Sequence, residues 1–171
     1  MINIFLYIVT IIFTHQNEYI YNISTIDHQN NSKINQKWDY RSRHNLSSSS
    51  YQQLTTQLKN KGYLPNHVVG YDNKGTANYA AIFYKNSNNI NWATHHNMTS
   101  IQYQEKVTYY KGIGYYPVYV DGFNVNGKLS FIAIWHKKSN ISWIAKHNLS
   151  SSEYQREYDK NKTDGYKLIH I

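Results

Sequence analysis

One phrase occurs three times: "HNLSSSSY" at 44–51, "HNMTSIQY" at 96–103 and "HNLSSSEY" at 147–154. Its histidines, His44, His96 and His147, are 52 and then 51 residues apart. Self-similarity at such a period marks an array of small supersecondary units, each of which buries its apolar face only against a neighbour. The other landmarks keep the same offsets. They include Tyr51, Tyr103 and Tyr154, then Gly62, Gly114 and Gly165, and the pair Pro65 and Pro117. Gly70–Tyr71 answers Gly122–Phe123, Gly75 answers Gly127, and "NYAAIFYK" at 78–85 answers "SFIAIWHK" at 130–137. The one-residue difference falls in the loop ahead of Trp92 and Trp143, where a change of length costs little. The first copy has Tyr40 at the tryptophan position and Trp38 two residues earlier.

The phrase specifies the start of a helix. Ser47, Thr99 and Ser150 are placed as N-caps, whose hydroxyls accept from backbone N–H groups that have no partner inside the helix. Three residues on stand Ser50, Gln102 and Glu153; the last two complete capping boxes. Leu46, Met98 and Leu149 before the caps and the tyrosines after them have the spacing of a hydrophobic staple. Asparagine at 45, 97 and 148 tolerates left-handed backbone better than most residues. The helices are amphipathic through Tyr51, Leu54 and Leu58, and through Tyr103, Val107 and Tyr110. They stop at the repeated glycine, and Pro65 and Pro117 prevent continuation.

Strand signals follow. "DNKG" and "NVNG" are hairpin turns, the Asn126–Gly127 pair being the better of the two. The strand after each turn is apolar on both faces: Tyr79, Ala81 and Phe83 oppose Ala80, Ile82 and Tyr84, while Phe131, Ala133 and Trp135 oppose Ile132 and Ile134. Such a strand lies inside a sheet covered on both sides. The expected fold class is α+β: tandem repeats of a helix followed by an antiparallel β-hairpin, with stacked strands covered by helices. The boundaries are 40–91, 92–142 and a partial third repeat at 143–171, whose tail "KLIHI" reads as a final strand. Residues 18–39 are a linker or the remnant of an earlier repeat, "EYIYNISTID" at 18–27 being its closing strand.

The string Trp-x-x-(Lys/His)-His-Asn-(Leu/Met)-(Ser/Thr)-x-x-x-Tyr-Gln resembles the polyglycine hydrolase-like structural repeat, a bacterial tandem-repeat family. "Gly-Tyr" after the helix, "Val-x-Gly-Tyr/Phe" and the strands "YAAIF" and "FIAIW" look like its later landmarks, and the resemblance covers roughly 40–171. The family commonly has glycine where Asn45, Asn97 and Asn148 stand here. Its repeats often accompany a secreted serine hydrolase domain similar to β-lactamases, with the nucleophile in Ser-x-x-Lys. No serine here has lysine three residues later, and there is no Gly-x-Ser-x-Gly. The resemblance therefore implies a scaffold: a structural or binding module, expected to be non-catalytic and secreted. The alternative is a fragment or diverged relative of a secreted β-lactamase-like hydrolase.

Composition narrows the chemistry further. With no cysteine, disulfides, thiolate catalysis and cysteine-ligated metals are excluded. The net charge of +8 is spread over small groups such as Lys59/Lys61, Lys137/Lys138 and Lys160/Lys162, whereas nucleic-acid binding wants a concentrated stripe. No cofactor and no nucleic acid is expected, and a protein or polysaccharide surface is the partner class left open. "MINIFLYIVTIIFTHQ" carries an apolar run at 4–13, too short to span a bilayer. Residues 1–17 read as a signal peptide, lacking a basic n-region and a small-x-small site, or as a buried strand. Sequons stand at Asn22, Asn30, Asn45, Asn97, Asn140, Asn148 and Asn161.

His44, His96 and His147 are the candidate ligands or bases. A three-histidine metal site needs them to converge, and equivalent residues of a linear stack are displaced by a whole repeat. The plainer expectation is that each imidazole bonds backbone beside its own helix start. His95 and His67 belong to no ligand pattern. The acidic residues pair in no recurring way, which leaves paired-carboxylate hydrolysis without support. Trp92 and Trp143 are candidates for stacking on carbohydrate, with core packing the stronger reading.

Overall fold

A computed structural model of the chain describes residues 9–15 and 39–171. Its elements in order are β1 (Val9–His15), β2 (Tyr40–Ser47), α1 (Ser48–Asn60), β3 (Tyr63–Asn73), β4 (Thr76–Lys85), β5 (Trp92–Met98), α2 (Ser100–Gly112), β6 (Tyr115–Val125), β7 (Lys128–Lys137), β8 (Trp143–Leu149), α3 (Ser151–Thr163) and β9 (Tyr166–His170). Trp38, Asn22, Asn30 and the segment 18–27 lie outside the described residues.

Ser47, Thr99 and Ser150 are the N-caps, accepting from the backbone N–H groups of Ser50, Gln102 and Glu153. Full capping boxes form at Thr99/Gln102 and Ser150/Glu153. Asn45, Asn97 and Asn148 hold φ near 56°, 55° and 57°. This left-handed residue marks the register shift in β2 between Arg43 and Leu46, and in β5 between His95 and Met98. The bulge turns the chain out of its strand and into the helix. In both hairpins the two turn residues have positive φ: Lys74 and Gly75, then Asn126 and Gly127. That is the type I′ pattern whose twist matches the flanking strands.

The unit is larger than a helix and a hairpin. The aromatic segment ahead of each helix is itself a strand, and it pairs with the last strand of the unit. The sheets therefore run β2-β4-β3 and β5-β7-β6, with the doubly apolar strand in the centre. Among the described residues no strand follows β9 to take that place in the third unit. β1 fills it, giving the order β8-β1-β9, antiparallel to both neighbours. The register is that of the other units. Ile144 faces Phe13 as Ala93 faces Trp135, and Leu168 faces Phe13 as Pro117 faces Trp135. The letters agree too: "IIFTH" at 11–15 stands where "AIFYK" and "AIWHK" stand. Residues 9–13 of the run that reads as a secretory h-region thus supply the centre of a sheet, with Ile12 and Phe13 fully buried. Cleavage after residue 17 would remove that strand.

The cores cross the unit boundaries. Tyr51 and Leu58 of α1 pack with Tyr79, Ala81 and Phe83 of β4, and the cluster is completed by Phe123, Ile132 and Ile134 of the second unit. Tyr103, Val107 and Tyr110 pack with Phe131, Ala133 and Trp135, completed by Ile12 and Trp143 of the third. α1 and α2 are thus each covered on one side by their own sheet and on the other by the next unit. In the third helix Asn161 takes the place of Leu58 and Tyr110. It is fully buried, its amide donates to the Glu157 carbonyl at 2.7 Å, and its Oδ1 has no partner. An unpaired buried carbonyl costs about 1–3 kcal/mol. Asn161→Leu, which restores the repeat's own residue, is expected to raise stability by about 1 kcal/mol, read as a higher urea midpoint at unchanged slope.

Candidate functional site: the joints between repeats

The chemically active letters of the repeated phrase meet at two joints. β5 lies along α1, and β8 lies along α2. At the first joint His96 Nε2 is 2.8 Å from the Ser48 hydroxyl, and its ring stands edge-on to Tyr51 and Tyr79, with centroids at 4.9 and 5.1 Å. Tyr51 OH and Thr94 Oγ1 are 3.3 Å apart. Lys59 Nζ donates to the Trp92 carbonyl at 3.3 Å and lies 4.7 Å above the Trp92 ring. The second joint repeats this. His147 Nε2 lies 3.1 Å from Gln104 Oε1, its ring edge-on to Tyr103 and Phe131. The Asn148 amide donates to Ser100 Oγ at 2.8 Å, and Lys111 lies 5.2 Å from the Trp143 ring centroid.

This corrects one expectation and refines another. His96 and His147 do not bond backbone beside their own helix starts; each reaches the helix of the preceding unit. His44 is exposed and, among the described residues, meets no preceding helix. Trp92 and Trp143 are only 5% and 7% exposed, closed over by a lysine stem, and offer no face to a sugar ring. Among the described residues no group of three histidine or acidic side chains is placed to hold a metal ion. Asn161 is fully buried and closed to glycosylation in the folded chain, whereas Asn45, Asn97, Asn140 and Asn148 are exposed.

A second set of titratable groups sits on the hairpin side of the joints. His67, Tyr119 and His170 occupy equivalent positions, each at the residue after the register shift that follows the proline site. Tyr119 OH is 3.2 Å from His67 Nε2, and the Tyr119 and His170 rings are 4.9 Å apart. His170 Nε2 is 2.6 Å from the Val120 carbonyl, to which it donates. Asp121 accepts the Gly70 N–H at 2.9 Å. Burial raises the Asp121 carboxyl, pushes the Tyr119 hydroxyl up to about 12 and lowers His170. At neutral pH Tyr119 is therefore a phenol, hydrogen-bonded to His67, and His170 is tied to backbone through the Nε2–H it donates to Val120. This ladder pins neighbouring hairpins together. It was readable in advance from the offsets of 52 and 51, which join 67 to 119 and 170 just as they join the histidines of the phrase.

Burial also lowers His96 and His147, and it carries His95 and His136 down to about 4. A histidine whose folded pKa is depressed is more protonated unfolded than folded once pH falls below its ordinary value of about 6.5. The stability it contributes is full above 6.5 and is lost as pH falls towards the folded value. Asp121, raised by burial, acts oppositely, but it is one group against five: His95, His96, His136, His147 and His170. Melting temperature is expected to fall steadily between pH 7 and pH 4.5. A flat profile over that range contradicts the burial of these rings.

Residues that break the repeat mark the remaining surface. On α2, Ile101 and Tyr109 are 73% and 59% exposed and border a shallow apolar groove with Gln104, Glu105, Thr108 and His147. The equivalent positions are Ser49 and Gln57 on α1, and Ser152 and Lys160 on α3. Arg41 and Arg43 on β2, beside Lys61 and Tyr63, line a polar groove, where the other repeats have Ala93, His95, Ile144 and Lys146. Among the described residues no helix is long and apolar enough to cross a membrane.

A family model described as "polyglycine hydrolase-like, structural repeat" matches the chain three times, at residues 37–86, 89–138 and 140–171. No curated protein matches it.

Proposed function

The chain belongs to the polyglycine hydrolase-like structural-repeat family, and from that premise we propose that it acts as a non-catalytic scaffold that presents an outer surface to a partner. The observation that carries this reading is the use of the repeated polar letters. The serine or threonine caps a helix, the asparagine takes left-handed backbone, and the histidine of each later copy is bound by the preceding helix. Among the described residues no nucleophile–base pair recurs from joint to joint, since His96 faces Ser48 and His147 faces Gln104. Partner recognition then falls to the unrepeated exposed residues, Ile101 and Tyr109 on one face and Arg41 and Arg43 on another.

Export to the cell exterior fits the exposed sequons, in a form that keeps residues 9–15 within the mature chain. Intact mass of the exported protein tests this: it should retain the strand. The scaffold reading is tested by a hydrolase screen on purified protein that includes glycine-rich peptides. No turnover is expected, and turnover lost on substituting a single repeated histidine would overturn it. Ile101→Glu and Tyr109→Glu should change stability by no more than about 0.5 kcal/mol, as exposed positions do. Their effect belongs to partner capture.

A further inference from the structure

The two ends of the array carry the two halves of a joint. A joint has a receiving helix, with its Ser48/Ser100 position, its Tyr51/Tyr103, and its Lys59/Lys111. It has an inserting strand, with the aromatic at 92 or 143 and the histidine at 96 or 147. At the third unit the receiving half is complete in kind: Ser151, Tyr154, Gln155 and Lys162 stand at the equivalent positions of α3. At the first unit the inserting half is complete in kind: Tyr40 and His44 on β2. Both halves are uncovered. Tyr40 is 52% exposed, where Trp92 and Trp143 are almost fully buried. His44 is exposed, where His96 and His147 are partly buried. Tyr154 is partly exposed, where Tyr51 and Tyr103 are wholly buried. Ile82 on the outer face of β4 is likewise half-open, where its counterparts Ile134 and Ile12 are closed by the neighbouring unit.

We propose that these ends bind each other between molecules: α3 of one copy of this chain packs along β2 of the next, continuing the stack head to tail. Tyr40 lies beneath Lys162 of the adjoining copy, and His44 stands edge-on to its Tyr154 beside Ser151 and Gln155. The occupant is a second copy because each uncovered half has the chemistry that the other half takes as its partner in the two joints already formed. The interface is heterologous, so each new copy leaves a free end and growth does not close at a dimer. The inference goes beyond the scaffold reading, which a monomeric protein would leave standing.

Sedimentation of the full-length chain over a range of concentrations tests it. Average mass should climb past that of a dimer as concentration rises. Two variants block opposite ends at exposed positions: Tyr40→Lys on β2, which sets like charge against Lys162, and Ser151→Lys on α3, which sets a bulky cation against His44. Each should be monomeric by itself, with circular dichroism unchanged. Mixed one to one, they should form dimers and nothing larger, since each retains one good end. A monomer at every concentration, as when residues 16–38 cover the first unit within the same molecule, overturns the proposal. So does a species that stops at a dimer, or association that survives both variants.

Discussion

A chain lacking residues 1–15 loses the third unit. Without β1, β8 and β9 have no common neighbour, and their backbone groups along that line lose their partners. Ile12 and Phe13, both fully buried, leave with the strand, and Ile12 also belongs to the core around α2. Full burial of one such side chain contributes about 1.5–3 kcal/mol. These two side chains alone therefore account for about 3–6 kcal/mol, and the loss spreads into the second unit. Limited trypsin digestion should cleave the shortened chain rapidly at Lys146, Arg156 and Lys160, while the region of α1 stays protected. Ile12→Asp should act similarly at full length, because an unpaired carboxylate placed in a core costs about 3–5 kcal/mol. Unchanged protection of the third unit in either variant would mean that β1 is not its central strand.

Gly70→Ala should be the most damaging one-carbon change in the joint between the first two units. A Cβ at Gly70 would lie 2.0 Å from Phe123 Cε1 and 2.2 Å from its Cζ. The ring cannot swing aside freely, since it is buried and stands edge-on to Tyr79 at 5.8 Å. The same peptide donates to Asp121, so moving the strand breaks that bond as well. Overpacking of this kind costs typically 1–3 kcal/mol, and the added strand shift places the expected value at about 3. The cause is checked by the double variant. Phe123→Leu is destabilising alone, yet combined with Gly70→Ala it should give a total well below the sum, because the two share one contact. Strict additivity would assign the damage elsewhere.

Most of the local structure was legible in the letters. The caps at Ser47, Thr99 and Ser150, the glycine stops, the left-handed asparagines and the I′ turns each follow from short-range rules, and the offsets carry them from one copy to the next. Two things were not read. The first is that the aromatic segment ahead of each helix is a strand. "TRP-x-x-His-His" has no period-2 alternation, because one of its faces meets the preceding unit's helix rather than water. The second is the place of β1. Sequence order puts residues 9–15 far from 143–171, and an apolar run at a chain start matches an export signal as well as a central strand. Only the match of "IIFTH" to "AIFYK" and "AIWHK" points to the strand, and five letters at an unexpected end of the repeat are easily passed over. The histidine was misread for a related reason. Local rules look for its partner nearby, while the partner is one repeat away and adjacent only in the stack.

The repeated phrase builds a joint wherever a preceding unit exists, and is not a site used three times. This is tested most directly by making the same substitution at the phrase's three histidines and measuring urea unfolding at micromolar concentration, where single molecules predominate. His96→Ala and His147→Ala should each lower stability by about 1–2 kcal/mol, the cost of a lost hydrogen bond and of edge-on ring contacts. His44→Ala, with no helix before it, should change stability by less than about 0.5 kcal/mol. Three equal losses, or losses at none of the three, would contradict the claim.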